Sequence, residues 1–375
     1  MKSHLLAGLG FGLIGASALL AQGQPQTPPA PAPAHLRATA DPGYAAVIAK
    51  CKTPPPARGG GAAGGARAGA GAAPGAAAGA PQGAAAGQGR AAGAAAPAGP
   101  AEYTVTEIPG VIAAGARWTL VFQTTGNNAD GPVATEDGGL MIAQHDNGAV
   151  VKIDADGKAT TVYRDTNTGG SLAMNTNGAL FVAERGLHQA IRQLAPQRRI
   201  LADSYMGDPL ECFGGLNDVT ADSKGGVYFT MGGLFYADPK GVVTQYGENL
   251  QTNGVILSPD EKTLYVTNRQ AIAAFDVRPD GSLTNQREFG KLPSGGGDGS
   301  AVDAAGRLYV TGGPAVHVFA PDGKYLGSIP APKNLITTAF AGRDKKTLYA
   351  IANDQRVAEV YSIPVIAQGY RGRAK

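Results

Sequence analysis

The sequence is short of the residues that usually announce site chemistry. Among 375 residues there are 2 cysteines, Cys51 and Cys212, too few for a disulfide framework. Cys212 has no partner histidine at a recognisable spacing and reads as a small buried residue, although a Cys51–Cys212 bridge stays open for an exported chain. The single tryptophan, Trp118, reads as core. Charged residues make up 16% and the formal net charge is +3, which gives no footprint for nucleic acid or an anionic membrane surface. No long apolar run at helical period is found between the β-rich segments.

The N-terminal third is rich in what the rest lacks. Lys2 and His4 precede an apolar run from Leu5 to Leu20, and small residues follow at Ala21 and Gly23. Residues 1–23 therefore read as a signal peptide. The run is shorter than the roughly 20 residues a membrane span needs, and Gly8, Gly10, Gly12 and Gly15 interrupt it. The expected location is periplasmic or secreted, with no stable membrane span after cleavage. Residues 24–100 form a Pro/Gly/Ala-rich linker that cannot bury enough apolar surface to fold, so disorder is expected. A modest apolar patch, Tyr44 to Ile48, lies within it. The formal GxGxxG at Gly59 to Gly64 has no strand before it and no helix pattern after it, so it is no nucleotide site. Residues 101–369 should hold the ordered domain, and residues 370–375 a solvated basic tail.

That domain repeats one unit six times. The clearest copy, Asn253 to Asn268, reads NGVILSPDEKTLYVTN, which is two β-rich runs around a turn. Marker residues of the second run are Leu140, Leu180, Val227, Leu264, Leu308 and Leu348, with spacings of 40, 47, 37, 44 and 40. A strand-built period near ~40–45 residues is that of a propeller blade. The pattern predicts an all-β, six-bladed β-propeller of four-stranded blades. A strand from 103–123 is expected to complete the last blade and so remove a sheet edge.

Register then picks out a ring. Ten residues before the marker lie Asp130, Gly170, Asn217 and Asp298; where the turn is one residue longer, eleven residues before lie Asn253 and Thr337. Equivalent blade positions face one end of the central channel. Two carboxylates and two amides there suit a hard divalent cation, Ca²⁺ first and Mg²⁺ or Mn²⁺ next; Zn²⁺ is kept as a further candidate.

The motifs DGPVATEDGGL, NDVTADSKGGVYFT, NGVILSPDEKTLYVTN, DGSAVDAAGRLYVTG and AFAGRDKKTLYAIA resemble the SMP-30/gluconolactonase/luciferin-regenerating family. The resemblance implies a metal-dependent lactonase acting on a small lactone or sugar-derived substrate. It implies Asp130, Asn253 and Asp298 as metal ligands, with Asn217 beside the metal or on the substrate. It also makes Asp298 the general base. Two departures stand out. Asp130 replaces the family's usual Glu, which puts a bridging water or a changed metal preference in question. Gly215 stands where members acting on sugar lactones often carry Arg, so that position offers no cation for a sugar acid.

Further candidates for substrate contact are Asp218, His145 and Glu184. Asp218 also fits an inner-strand hydrogen-bonding role, and His145 a surface loop position or a proton shuttle. Glu184 fits an ion pair with Arg185 or Arg192. Two other readings stay open: a non-catalytic exported propeller with a structural ion, and a strictosidine-synthase-like propeller.

Overall fold

The structure is a computed structural model that describes residues 36–52 and 103–373. The expected leader, most of the linker and the last two residues lie outside the described residues. Among the described residues no helix is long and apolar enough to cross a membrane.

Six four-stranded antiparallel sheets form the blades. Their first strands are Ala129–Ala134, Gly169–Met174, Val219–Ala221, Thr252–Leu257, Ser300–Val302 and Thr337–Ala341. Each touches the first strand of the next blade, and the last returns to the first, so these strands form a closed inner ring. The fourth strands are largely exposed, as in Ala159–Tyr163 and Val243–Tyr246. The alternation of β-branched and aromatic residues therefore runs from a buried axis to a wet rim.

Blade 6 is closed by chain ends. Thr119–Thr125 pairs with Val357–Pro364 as its outermost strand, which leaves no open ring seam. Hydrophobic clusters fill every blade interface. Leu140 and Ile142 of blade 1 pack with Ala339 and Ile351 of blade 6, for example, and Phe229 of blade 3 with Phe181 of blade 2. Trp118 is buried between blades 5 and 6 and donates its indole N–H to the Pro330 carbonyl at 2.8 Å.

Two expectations need correction. Residues 36–52, assigned to the disordered linker, are ordered. Ala38–Ala40 forms a 3₁₀ turn and Tyr44–Ile48 a short helix, and Cys51 is disulfide-bonded to Cys212. Composition does not reveal this, because the order comes from a disulfide spanning 161 residues and from hydrogen bonds to Thr168, Arg185 and Asp208, not from a local core. The basic tail is solvated at Arg371 and Gly372 but not at Arg373. That guanidinium is buried, lies against the carbonyls of Leu257 and Ser258, and stands 3.5 Å from Glu261.

Candidate functional site

The six register positions all lie at the start of the inner strands, at one mouth of the channel. Asn217 and Asp298 come just before their strands, held by N–H bonds to Thr230 and Thr311 carbonyls at 2.9 and 2.8 Å. The strands approach one another closely enough that small residues are required. A Cβ on Gly254 would meet the Asp298 carbonyl oxygen at 2.2 Å, and one on Gly299 would meet Thr337 Oγ1 at 2.4 Å. The ring donors are thereby held by backbone rather than by mobile loops.

Asp130, Asn217, Asn253 and Asp298 are each half-buried, open from the mouth. The Asn217 amide N–H donates to Asn253 Oδ1. Burial pushes the Asp298 carboxyl well above the usual carboxylate range, helped by the Asp130 and Asp218 charges and partly opposed by Arg185.

Arg185 is the residue that the register argument did not place. It is 4% exposed. Its Nη2 donates to the Asn217 carbonyl at 2.5 Å and to Asn217 Oδ1 at 3.2 Å, and it pairs with Asp130 Oδ2 at 3.2 Å. Gly170 makes room for it, since a Cβ there would meet Arg185 Nε at 1.7 Å. A signal existed: five residues after the marker come His145 in blade 1 and Arg185 in blade 2, and both are buried against Gly170.

His145 is not a surface loop residue but buried, with Nε2 3.3 Å from the Gly170 carbonyl and Nδ1 unpartnered. Desolvation, then the Arg185 and Arg37 charges, hold its pKa well below the usual imidazole range, so it is neutral. Glu184 is buried and pairs with Arg192 at 2.7 Å, not with Arg185. Asp218 takes the inner-strand role: it accepts from Ser171 Oγ at 2.5 Å, Val219 N at 2.9 Å and Val255 N at 2.9 Å. It thus ties blades 2, 3 and 4 rather than facing the mouth as a free carboxylate.

A hard divalent cation fits the ring by chemistry. The donors are carboxylate and amide oxygens without sulfur or imidazole, and Thr337 Oγ1 on the same ring is buried without a partner. Half of the donors are amides, and among the described residues no cluster of three or more His, Cys, Asp or Glu side chains forms.

Comparisons agree with this architecture. Residues 160–353 match the SMP-30/Gluconolactonase/LRE-like region. The chain is 26% identical over 297 residues to a gluconolactonase of Zymomonas mobilis, covering 65% of this chain and 78% of that one. It is 29% identical over 213 residues to the lactonase drp35 of Staphylococcus aureus, covering 51% of this chain and 59% of that one. A solved gluconolactonase of Xanthomonas campestris shares the fold, with a TM-score of 0.61 at 24% identity, covering 70% of this chain and 94% of that one.

Proposed function

Because the chain belongs to the SMP-30/gluconolactonase/LRE-like family, we propose that it is a hydrolase that opens a lactone at the mouth of the propeller channel. The observation that carries this reading is the convergence of Asp130, Asn217, Asn253 and Asp298 on one half-open ring. The lactonase and gluconolactonase relatives support the reaction class.

A divalent cation, Ca²⁺ first, held by Asp130, Asn253 and Asp298 with Asn217 beside it, would polarise the lactone carbonyl and acidify a bound water. The chain's own residues supply the rest. Asp298 accepts the proton of the attacking water as its oxygen bonds to the carbonyl carbon. A carboxylate whose pKa is raised is the stronger base once ionised. When the ring C–O bond breaks, that proton returns to the departing ring oxygen, leaving a hydroxy acid. Asn217 orients the substrate, and Arg185 holds Asn217 and Asp130 in place.

Export is part of the proposal. The Cys51–Cys212 bridge suits an oxidising compartment such as the periplasm or the exterior. The strap of residues 36–52 and the Arg185–Asp130 pair at the mouth favour the second reading, a binding propeller closed over a structural ion. Ring opening of γ- and δ-lactones, followed by acid release, separates the two. Wild-type hydrolysis that disappears in folded Asp298→Asn supports the hydrolase; no acid release from either ring counts against it.

A further inference from the structure

Asn217 enters the ring at the end of a segment that runs from Cys212 to Leu216 and holds two successive glycines. Glycine restrains its own backbone least of all residues. Gly214 has a φ of +141°, and a Cβ there would meet the Met231 carbonyl oxygen at 3.1 Å. Gly215 is exposed, and a Cβ there would meet nothing within 4 Å, so packing does not hold it. Among the described residues, the hydrogen bonds of residues 214–216 both go to one side chain. Gln189 Oε1 accepts from Leu216 N at 2.6 Å, and Gln189 Nε2 donates to the Gly214 carbonyl at 3.2 Å. Gln189 is 2% exposed, and its own N–H donates to Glu211 Oε1 at 2.7 Å, so the clamp is itself fixed. The segment before Asp298 is also glycine-rich, but backbone holds it, through Gly297 N on the Arg269 carbonyl at 2.8 Å.

We propose that Gln189 is a positioning residue for lactone opening, which holds the Gly214–Leu216 segment so that Asn217 meets the substrate in one orientation. This deepens the lactone-hydrolase reading and rests on it. Among the described residues Gln189 hydrogen-bonds to no ring residue; it acts through Asn217. The same loop grips Asn217 a second time, through Arg185 on its carbonyl and Oδ1. Without the Gln189 amide the two glycines regain their freedom and the Asn217 side chain loses its single direction. The blades stay folded, because the Leu216 side chain remains packed between blades 2 and 3.

The test is a double-mutant cycle on the intact, oxidised, Ca²⁺-loaded chain, read as kcat/KM for γ-butyrolactone and δ-valerolactone. Gln189→Met removes both amide bonds at similar volume and lowers kcat/KM about tenfold, because a misplaced contact costs rate. In the Asn217→Ala background the same change costs nothing further. Gln193→Met is the control. That glutamine is also buried in blade 2, bonded to the Ala195 carbonyl and to Arg199, and its loss lowers Tm without coupling to Asn217. An unchanged kcat/KM in Gln189→Met overturns the proposal, as does a fall of equal size in both backgrounds or equal coupling for Gln193→Met. A Gln189→Met chain that does not fold overturns it too, since the loss is then not confined to residues 214–217. If neither ring opens, the hydrolase reading fails on these rings; in that case, or where Asn217→Ala is too slow to read, hydrogen exchange decides the clamp. Exchange at residues 214–217 that rises in Gln189→Met but not in Gln193→Met supports it, and unchanged exchange there overturns it.

Discussion

Replacing Gly170 by alanine reaches the channel mouth without removing any group from it. The new methyl would meet Arg185 Nε at 1.7 Å, Cζ at 1.9 Å and Cδ at 2.4 Å, all of them side-chain atoms. The sheet therefore keeps its course and the guanidinium moves. Arg185 then gives up its contacts to Asn217 and Asp130. Hydrogen bonds to charged groups contribute about 1.5–3 kcal/mol each, but water recovers part of this once the guanidinium is displaced, so the loss should be about 3 kcal/mol in all. Alanine restricts the unfolded chain and returns about 0.4–1 kcal/mol. The net cost is about 2 kcal/mol, a fall in Tm of about 4–6 °C for a domain of this size. The assay is thermal unfolding of Gly170→Ala, Arg185→Ala and the double variant. In the Arg185→Ala background the three atoms that the methyl would meet are gone, so the double variant is at least as stable as Arg185→Ala alone, and the cycle shows a coupling of about 3 kcal/mol. Additive losses would refute the placement of Arg185 over Gly170.

Three further outcomes follow from other parts of the molecule. Cys212→Ala, or reduction, should release the strap. The bridge closes a loop of 161 residues, so about 2–4 kcal/mol of stabilisation is lost and hydrogen exchange at residues 36–52 rises while the blades stay protected. In the metal-stripped chain, the raised Asp298 pKa means the native state holds a proton that the unfolded state has already released. Stability therefore falls as pH rises from about 4 through the folded pKa; the urea midpoint should show that slope, and Asp298→Asn should flatten it. Arg373→Ala removes a buried guanidinium from the carbonyls of Leu257 and Ser258 and from Glu261. A loss of about 1.5–3 kcal/mol in urea unfolding is expected, and no loss would show that the tail is dispensable.

The propeller and its inner ring were legible because they are written locally. Turn residues and a two-residue apolar period recur in every blade, so counting back from Leu140, Leu180, Val227, Leu264, Leu308 and Leu348 reached six residues at, or just before, the start of the inner strands. Arg185 was not legible by that count. It lies at the far end of the second strand, and its neighbour Glu184 had two arginines to choose from; the choice of Arg192 depends on strand pairing in space. The strap was hidden for another reason. Its alanines and single proline have no core of their own, and its order depends on Cys212, Asp208 and the Arg185 carbonyl, each more than a hundred residues away in sequence. His145 was hidden similarly, since burial between the Gly170 carbonyl and two arginines leaves no trace in its own loop.

The central claim is that the ring holds a cation in order to open a lactone. The most direct measurement is to strip the chain with chelator and add back Ca²⁺ stepwise, reading acid release from a γ-lactone and Tm on the same samples. The account predicts that both rise together over one concentration range, and that neither rises in Asn253→Ala. A Tm that climbs with added Ca²⁺ while no γ- or δ-lactone is opened would contradict it, and would leave a binding propeller closed over a structural ion.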